Sequence, residues 1–227
     1  MAGWIFHLRA AEMLLAKLPQ TPVGSARTHW YMGNLAPDCG LPVGFAEYIP
    51  PKDITHFKED GRYICPATFA KKHLPADDKT SDRFWFCLGY YAHLSTDVFW
   101  VRNILNPEKK RYADLLAQDK KAFYTFIKKD WYDLETLWLG ERYAVGETFA
   151  PLDLLLAQPD FPNRYLDFFP PDAFTLRLNS MRTQYAPETI LPQLDRVRRE
   201  YTVLTPMEEA EQLKRFVEDF TLQDMVL

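Results

Sequence analysis

His93 and Asp97 stand four residues apart, so on a helix their side chains fall one turn apart on the same face and could share a metal ion. The spacing by itself is also that of a local hydrogen-bonded pair. The surroundings single it out: Asp97 lies between Thr96 and Val98-Phe99-Trp100 in an otherwise apolar run. A buried ionised carboxylate costs several kcal/mol unless something cationic meets it. Three more residues raise the same question. His7 sits on the apolar face of an N-terminal helical pattern, and His56 lies in Ile54-Thr55-His56-Phe57 with an apolar residue after it. Asp38 follows Pro37, whose restricted backbone can aim the carboxylate. Singly, each has an ordinary reading, which is packing for the two imidazoles and an Asx turn for Asp38. Together, two or three imidazoles and two carboxylates make the nitrogen and oxygen donor set that zinc accepts.

The elements that must position these residues are helical. Trp4, His7, Ala11, Leu14 and Leu18 recur at helical spacing and predict a first amphipathic helix, ended by Pro19 and Pro22, with His7 turned inward. From Pro22 to about Pro66, Gly33-Asn34, Pro37-Asp38, Cys39-Gly40 and Pro50-Pro51 predict long loops with short helical pieces. Ser81 or Asp82 can cap a helix from Arg83 to about Asn103 that is apolar on nearly every face and therefore belongs at the centre. After Pro107 an alternation of charged and apolar residues predicts one long or two shorter amphipathic helices packed beside it. A proline-punctuated, loop-rich stretch follows, then helices near Asp172–Gln184, Glu188–Glu200 and Met207–Asp219, the last with Thr205 as cap and Pro206 at its first position. No run shows clear period-two alternation, so the expected class is all-α, a single domain of residues 1–227.

Composition narrows the functions. A net charge of −4 with basic and acidic residues interspersed leaves no electrostatic footprint for nucleic acid. With 16 Phe, 12 Tyr and 6 Trp the chain can fill a thick core. The three cysteines, Cys39, Cys65 and Cys87, form no CxxC pair, which speaks against a disulfide framework and a thiolate zinc site and fits a reducing cytoplasm. Arg9, Glu12 and Lys17 interrupt the N-terminal apolar run, so no signal peptide is expected, and His93 and Asp97 break the longest apolar stretch, so no transmembrane segment is expected.

Four ordered pieces resemble a known pattern: Gly3–His7 (GWIFH), Gly33–Asp38 (GNLAPD), Thr55–Phe57 (THF) and Gly89–Asp97 (GYYAHLSTD). They are similar to the bacterial zinc-dependent phospholipases C, which share an all-helical fold with single-strand-specific zinc nucleases, and Leu204-Thr205-Pro206 resembles the last helix start of the short members. The resemblance implies a multi-helix bundle around a buried central helix. It implies that Asp38, His56, His93 and Asp97 hold one zinc and that His7 and Asp97 share a second, with Asp38 a candidate general base. The chain departs from the pattern in two places. The family's N-terminal Trp chelates zinc through its amine and carbonyl, whereas Trp4 follows Met1-Ala2-Gly3; and the family's remaining ion uses two further His and a Glu, whereas no His follows His93. Asp133 could stand in for the Glu, with Lys129 where a His would be. One or two ions are therefore expected.

The implied reaction is phosphoester hydrolysis: a divalent ion brings the pKa of bound water toward neutrality, and Asp38 orients or deprotonates that water. The ion's charge also serves the phosphoryl oxygens, so few basic residues are expected in the pocket. A phospholipid headgroup and a soluble phosphodiester are both open as substrate. The alternative is a non-catalytic, metal-stabilised helical binding protein that has lost the full trinuclear site. A helical phosphohydrolase of the HD type is disfavoured because no His-Asp dipeptide occurs. Of the remaining polar residues, His73 reads as solvated, His29 as packing or support for the metal, and Asp130, Asp133 and Glu135 as a charged helix face.

Overall fold

The computed structural model describes residues 2–44, 47–200 and 203–220. The first helix, α1 (Trp4–Leu15), is buried on almost every side, including Ile5, Phe6, His7, Leu8, Arg9, Ala10 and Ala11. It stops before Pro19 and is a core helix rather than the one-sided amphipathic helix expected from its periodicity. Even its arginine is satisfied inside: Arg9 is 8% exposed, meets Glu209 and lies 4.8 Å over the Trp138 ring.

The stretch expected as loops contains a full helix, α2 (Ser25–Leu35), which runs into a 3-10 turn at Ala36–Asp38. Gly33-Asn34 is helical here, because the glycine serves close approach instead of a turn. A Cβ on Gly33 would lie 2.1 Å from the Phe86 carbonyl oxygen, and one on Gly89 would lie 2.2 Å from that of Trp30. Both glycines thus let two helix backbones touch. The second of these helices is α5 (Asp82–Trp100), the predicted central helix, with Ser81 accepting from the Phe84 amide as its cap.

Between them lie two small antiparallel hairpins that the sequence reading did not anticipate. Strand β1 (Leu41–Gly44) pairs with β2 (Glu47–Ile49), and β3 (Lys58–Glu59) pairs with β4 (Tyr63–Ile64). Strands of two to four residues are too short to show a period of two. Short helices α3 (Lys52–Thr55) and α4 (Pro66–His73) complete this region.

After α5 the chain makes one π-helical turn, Val101–Leu105, and continues as α6 (Asn106–Arg111), α7 (Ala113–Gln118) and α8 (Lys120–Ala144). Helix α8 packs beside the central helix as expected: the Trp131 ring meets Trp100 of α5 edge-on at 5.2 Å, and Trp100 meets Phe6 of α1 at 4.6 Å. Then come α9 (Ala150–Leu156) and α10 (Ala173–Gln184). The expected helix at 188–200 is broken into α11 (Pro187–Ile190), a 3-10 turn at Leu191–Gln193 and α12 (Leu194–Val197), with Pro192 at the break. The last helix, α13 (Pro206–Asp219), opens on a reciprocal capping box between Thr205 and Glu208. The architecture is all-α apart from the two hairpins, and no helix among the described residues is long and apolar enough to cross a membrane.

The expected solvated acidic face of α8 is buried instead, with Asp130, Asp133 and Glu135 all under 7% exposed. Glu135 closes the start of α1, accepting from the Ile5 amide at 2.7 Å and from the Tyr185 hydroxyl at 2.9 Å. Burial pushes its pKa from 4.5 up to about 7, against the pull of Tyr185 and the Ile5 amide. A carboxyl raised on folding stabilises the fold fully below its unfolded pKa and loses that contribution as pH rises through its folded pKa. Glu135→Gln is therefore expected to gain stability over the wild type, by on the order of 3 kcal/mol, between about pH 4.5 and about pH 8. Urea unfolding of both proteins across that range is the measurement; parallel curves would contradict the assignment.

Candidate metal centre

Four separate elements deliver the five candidate donors to one place. Helix α5 presents His93 and Asp97, both fully buried, with Nε2 3.5 Å from Oδ2. From α1, His7 brings its Nε2 to 3.5 Å from Asp97 Oδ1 and stacks flat on His93, with ring centroids 3.8 Å apart. His56, which ends α3, places Nε2 3.3 Å from Asp97 Oδ2 and 3.5 Å from Asp38 Oδ1. Asp38 itself closes the 3-10 turn after α2. Two overlapping groups could hold an ion, His7 with His93 and Asp97, and Asp38 with His56 and His93; within each, the donor atoms all lie within 4.8 Å of one another.

The surrounding chain fixes which ring nitrogen faces inward. His93 Nδ1 lies 2.7 Å from the Asn34 carbonyl oxygen, which can only accept, so Nδ1 carries the proton and Nε2 offers a lone pair. The backbone contact at Gly33 and Gly89 is what brings Asn34 that close. His56 Nδ1 lies 2.9 Å from Thr55 Oγ1, again leaving Nε2 for the cluster, and the Tyr90 hydroxyl donates to the Thr55 carbonyl. Arg177, stacked 4.3 Å over Trp4, donates to the Asp38 and Gly40 carbonyls at 3.0 Å each and so holds the turn that carries Asp38.

The donors fit a metal ion by what they lack. His7 Nδ1 and Nε2, His56 Nε2, His93 Nε2 and both Asp97 oxygens are buried without a hydrogen-bond partner. A buried polar atom left unsatisfied costs about 1–3 kcal/mol, and native proteins contain few of them. Six such atoms in one cluster therefore point to a shared cation. The spacing agrees: two donors each about 2.1 Å from a tetrahedral zinc stand roughly 3.4 Å apart, and the imidazole–carboxylate separations here are 3.3–3.5 Å.

Electrostatics keep most of the donors ready. Burial and then the stacked His93 lower the His7 pKa to about 4, so this imidazole is neutral at neutral pH. Burial opposes ionisation of Asp97, but His56, His7 and His93 outweigh it and hold the carboxyl well below its ordinary range. Asp38 is also held low, where Lys52 and then His56 overcome its burial. His56 is raised despite burial because it faces Asp38 and Asp97 together, so a cation arriving there displaces a proton.

Other residues weighed from sequence fall elsewhere. Asp133 does not join the cluster: Arg196 grips it with two 2.9 Å hydrogen bonds and Lys129 adds one at 2.6 Å, which neutralises it. Asp130 accepts from the Leu204 amide. His29 engages the Ser25 carbonyl and packs on Phe161, so it supports no donor. His73 is half-buried against Phe69 rather than solvated. Cys39, next to Asp38, is fully buried with its thiol pushed up to about 12 by burial, so it is not a reactive thiol. The start of α1, where the resemblance implies a terminal chelate, is taken up by Glu135: a Cβ on Gly3 would lie 2.0 Å from its Oε1.

The sequence reading missed the basic residues around Asp38. Lys52 Nζ lies 2.7 Å from Asp38 Oδ1 and 5.0 Å over the Tyr48 ring, and on α8 burial first and then the Lys52 charge lower the Lys128 pKa against the pull of Asp38. Only the position of Lys52 four residues before His56 hinted at this, one turn away on a short helix.

A sequence profile of a family described as zinc dependent phospholipase C matches residues 6–131, more than half of the chain and a span that includes all five donors. Comparisons with curated proteins and with solved structures give no match.

Proposed function

Because the chain belongs to the zinc-dependent phospholipase C family, we propose that it is a metal-dependent hydrolase of phosphoester bonds, with one or two zinc ions held by His7, Asp38, His56, His93 and Asp97. The observation that carries this reading is the cluster of six unpartnered donor atoms at separations suited to zinc. Zinc, when bound, supplies Lewis acidity that activates water and stabilises charge on phosphoryl oxygens.

The protein's own groups do the rest. His7, His56, His93 and Asp97 are fully buried, whereas the side chain of Asp38 is 9% exposed and that of its partner Lys52 is 31% exposed. Substrate therefore approaches from the Asp38–Lys52 side. Asp38 accepts a hydrogen bond from the attacking water and draws on its proton, which places the oxygen for attack on phosphorus. Lys52 keeps Asp38 ionised and faces the same opening, where its ammonium can meet a phosphoryl oxygen. The aromatic-lined interior keeps bulk water from the buried donors.

Metal analysis with a phosphoester panel tests the reading. The purified chain is expected to carry one or two zinc ions and to hydrolyse bis(p-nitrophenyl) phosphate or a short-chain phosphatidylcholine. Chelation is expected to abolish turnover and added zinc to restore it. Bound zinc without turnover on any phosphoester would sink the hydrolase and leave a metal-stabilised binding protein.

A further inference from the structure

We propose, building on the reading of the site as a phosphoester hydrolase, that Arg177 is a positioning residue for Asp38: from α10 it sets the turn that aims this carboxylate, braced on the first residue of the helix that carries His7. Arg177 lies beyond residues 6–131, the span that the family profile matches, so the family pattern assigns it no role.

The carbonyls that Arg177 holds are those a helix end leaves open. Helix α2 and the 3-10 turn after it close at Asp38, and the last carbonyls of a helix have no partner within it. A single nitrogen, Nη2, donates to the Asp38 and Gly40 carbonyls at 3.0 Å each, the task a basic side chain takes at a helix C-terminus. The peptide plane after Asp38 is thereby fixed, and with it the direction of the Asp38 Cα–Cβ bond. At the far end of the same residue, Lys52 Nζ lies 2.7 Å from Oδ1. Turn and carboxylate are thus held by different residues, and a shift of the turn would draw Oδ1 away from His56 Nε2, now 3.5 Å from it. The other side of the turn has no slack to take up such a shift: a Cβ on Gly40 would lie 3.0 Å from the Pro50 carbonyl oxygen and 3.2 Å from the Tyr48 Cβ.

The guanidinium is itself held in place. It lies 4.3 Å over the ring of Trp4, which opens α1 just ahead of His7, and a cation over an indole face is attracted to it. Tyr185, which follows α10, meets the same ring edge-on at 6.2 Å and donates to Glu135, whose other oxygen accepts from the Ile5 amide. Arg177 Nε is buried without a partner, so the Trp4 face and the two turn carbonyls are the contacts on which the buried part of the group rests. A matched arginine stands on the same helix. Arg182 also donates to two carbonyls, those of Leu156 and Gln158, in a segment that carries none of the five donors.

The test compares Arg177→Met, which keeps an apolar stem over Trp4 and removes the donors, with Arg182→Met in the full chain. At saturating zinc, Arg177→Met is expected to lower kcat about tenfold to a hundredfold with KM changed by less than about twofold. It is also expected to alter the visible absorption spectrum of the cobalt-loaded chain, which reports the donors around the ion. Arg182→Met is expected to lose stability in urea while leaving kcat and the cobalt spectrum as in the wild type. Because Arg177 acts through Asp38, adding Arg177→Met to Asp38→Asn is expected to lower kcat by less than about a further twofold. Wild-type kcat and cobalt spectrum in Arg177→Met overturn the assignment. So do equal losses in Arg182→Met, which would make the effect one of general stability, and full additivity with Asp38→Asn. A chain that hydrolyses nothing removes the hydrolase alone: the cobalt spectrum then decides, a change in Arg177→Met but not in Arg182→Met supporting the positioning role and an unchanged one overturning it.

Discussion

Asp97→Asn is expected to strip the chain of zinc. Both oxygens of Asp97 are buried and face imidazoles, Oδ1 toward His7 at 3.5 Å and Oδ2 toward His56 and His93 at 3.3 and 3.5 Å. Among the described residues it is the one carboxylate that lies within 3.5 Å of three imidazoles. The amide keeps the shape but removes the charge, and it turns one acceptor into an N–H donor aimed at a ring nitrogen. Losing one partner of a buried charged group costs about 3–5 kcal/mol, which corresponds to roughly a thousandfold in zinc affinity. Zinc content after dialysis and titration calorimetry measure it, with turnover expected to fall by at least about a thousandfold in parallel. A variant that retained wild-type zinc affinity would show that the ion is not held on this carboxylate.

Asp38→Asn is expected to act differently, keeping zinc while slowing turnover by about a hundredfold to a thousandfold. The group formed by His7, His93 and Asp97 does not include Asp38, so one ion keeps its full set of donors. Asp38 is also the donor nearest the opening, in contact with Lys52. Its carboxyl is held well below the ordinary range by Lys52 and then His56, against burial. It is thus ionised throughout the working pH range, and orienting the attacking water is its stronger contribution. Paired measurement of zinc content and kcat decides the matter. Unchanged kcat would exclude Asp38 from the reaction, whereas loss of all zinc would reduce its role to holding metal.

The corrections to the sequence reading share one cause. Gly33-Asn34 carries the composition of a turn, yet it is helical because α2 lies against α5 with no room for a Cβ. Asp133 and Glu135 carry the composition of a solvated face, yet Arg196 and the α1 amides, 63 and 130 residues away, bury them. The β1–β2 and β3–β4 hairpins were too short for periodicity to register, although Asp60-Gly61, with φ of 51° and 64°, is a turn pair that could have flagged the second. Few basic residues were expected in the pocket; the structure brings Lys52 from α3 against Asp38.

What the sequence determined by itself rests on local rules and on the cost of burying charge. Ser81 capping α5, the Thr205 and Glu208 capping box and the helical periods are interactions within a few residues, which composition and spacing carry directly. The burial of His93 and Asp97 on one apolar helix was equally legible, since a carboxylate in such a run demands a cation wherever the rest of the chain goes. Tertiary packing alone decided which groups answer that demand and which surround it. Whether His7 stacks on His93, whether Asn34 sets its tautomer and whether Lys52 meets Asp38 depend on contacts between residues well separated along the chain. Those contacts form only when the whole core closes.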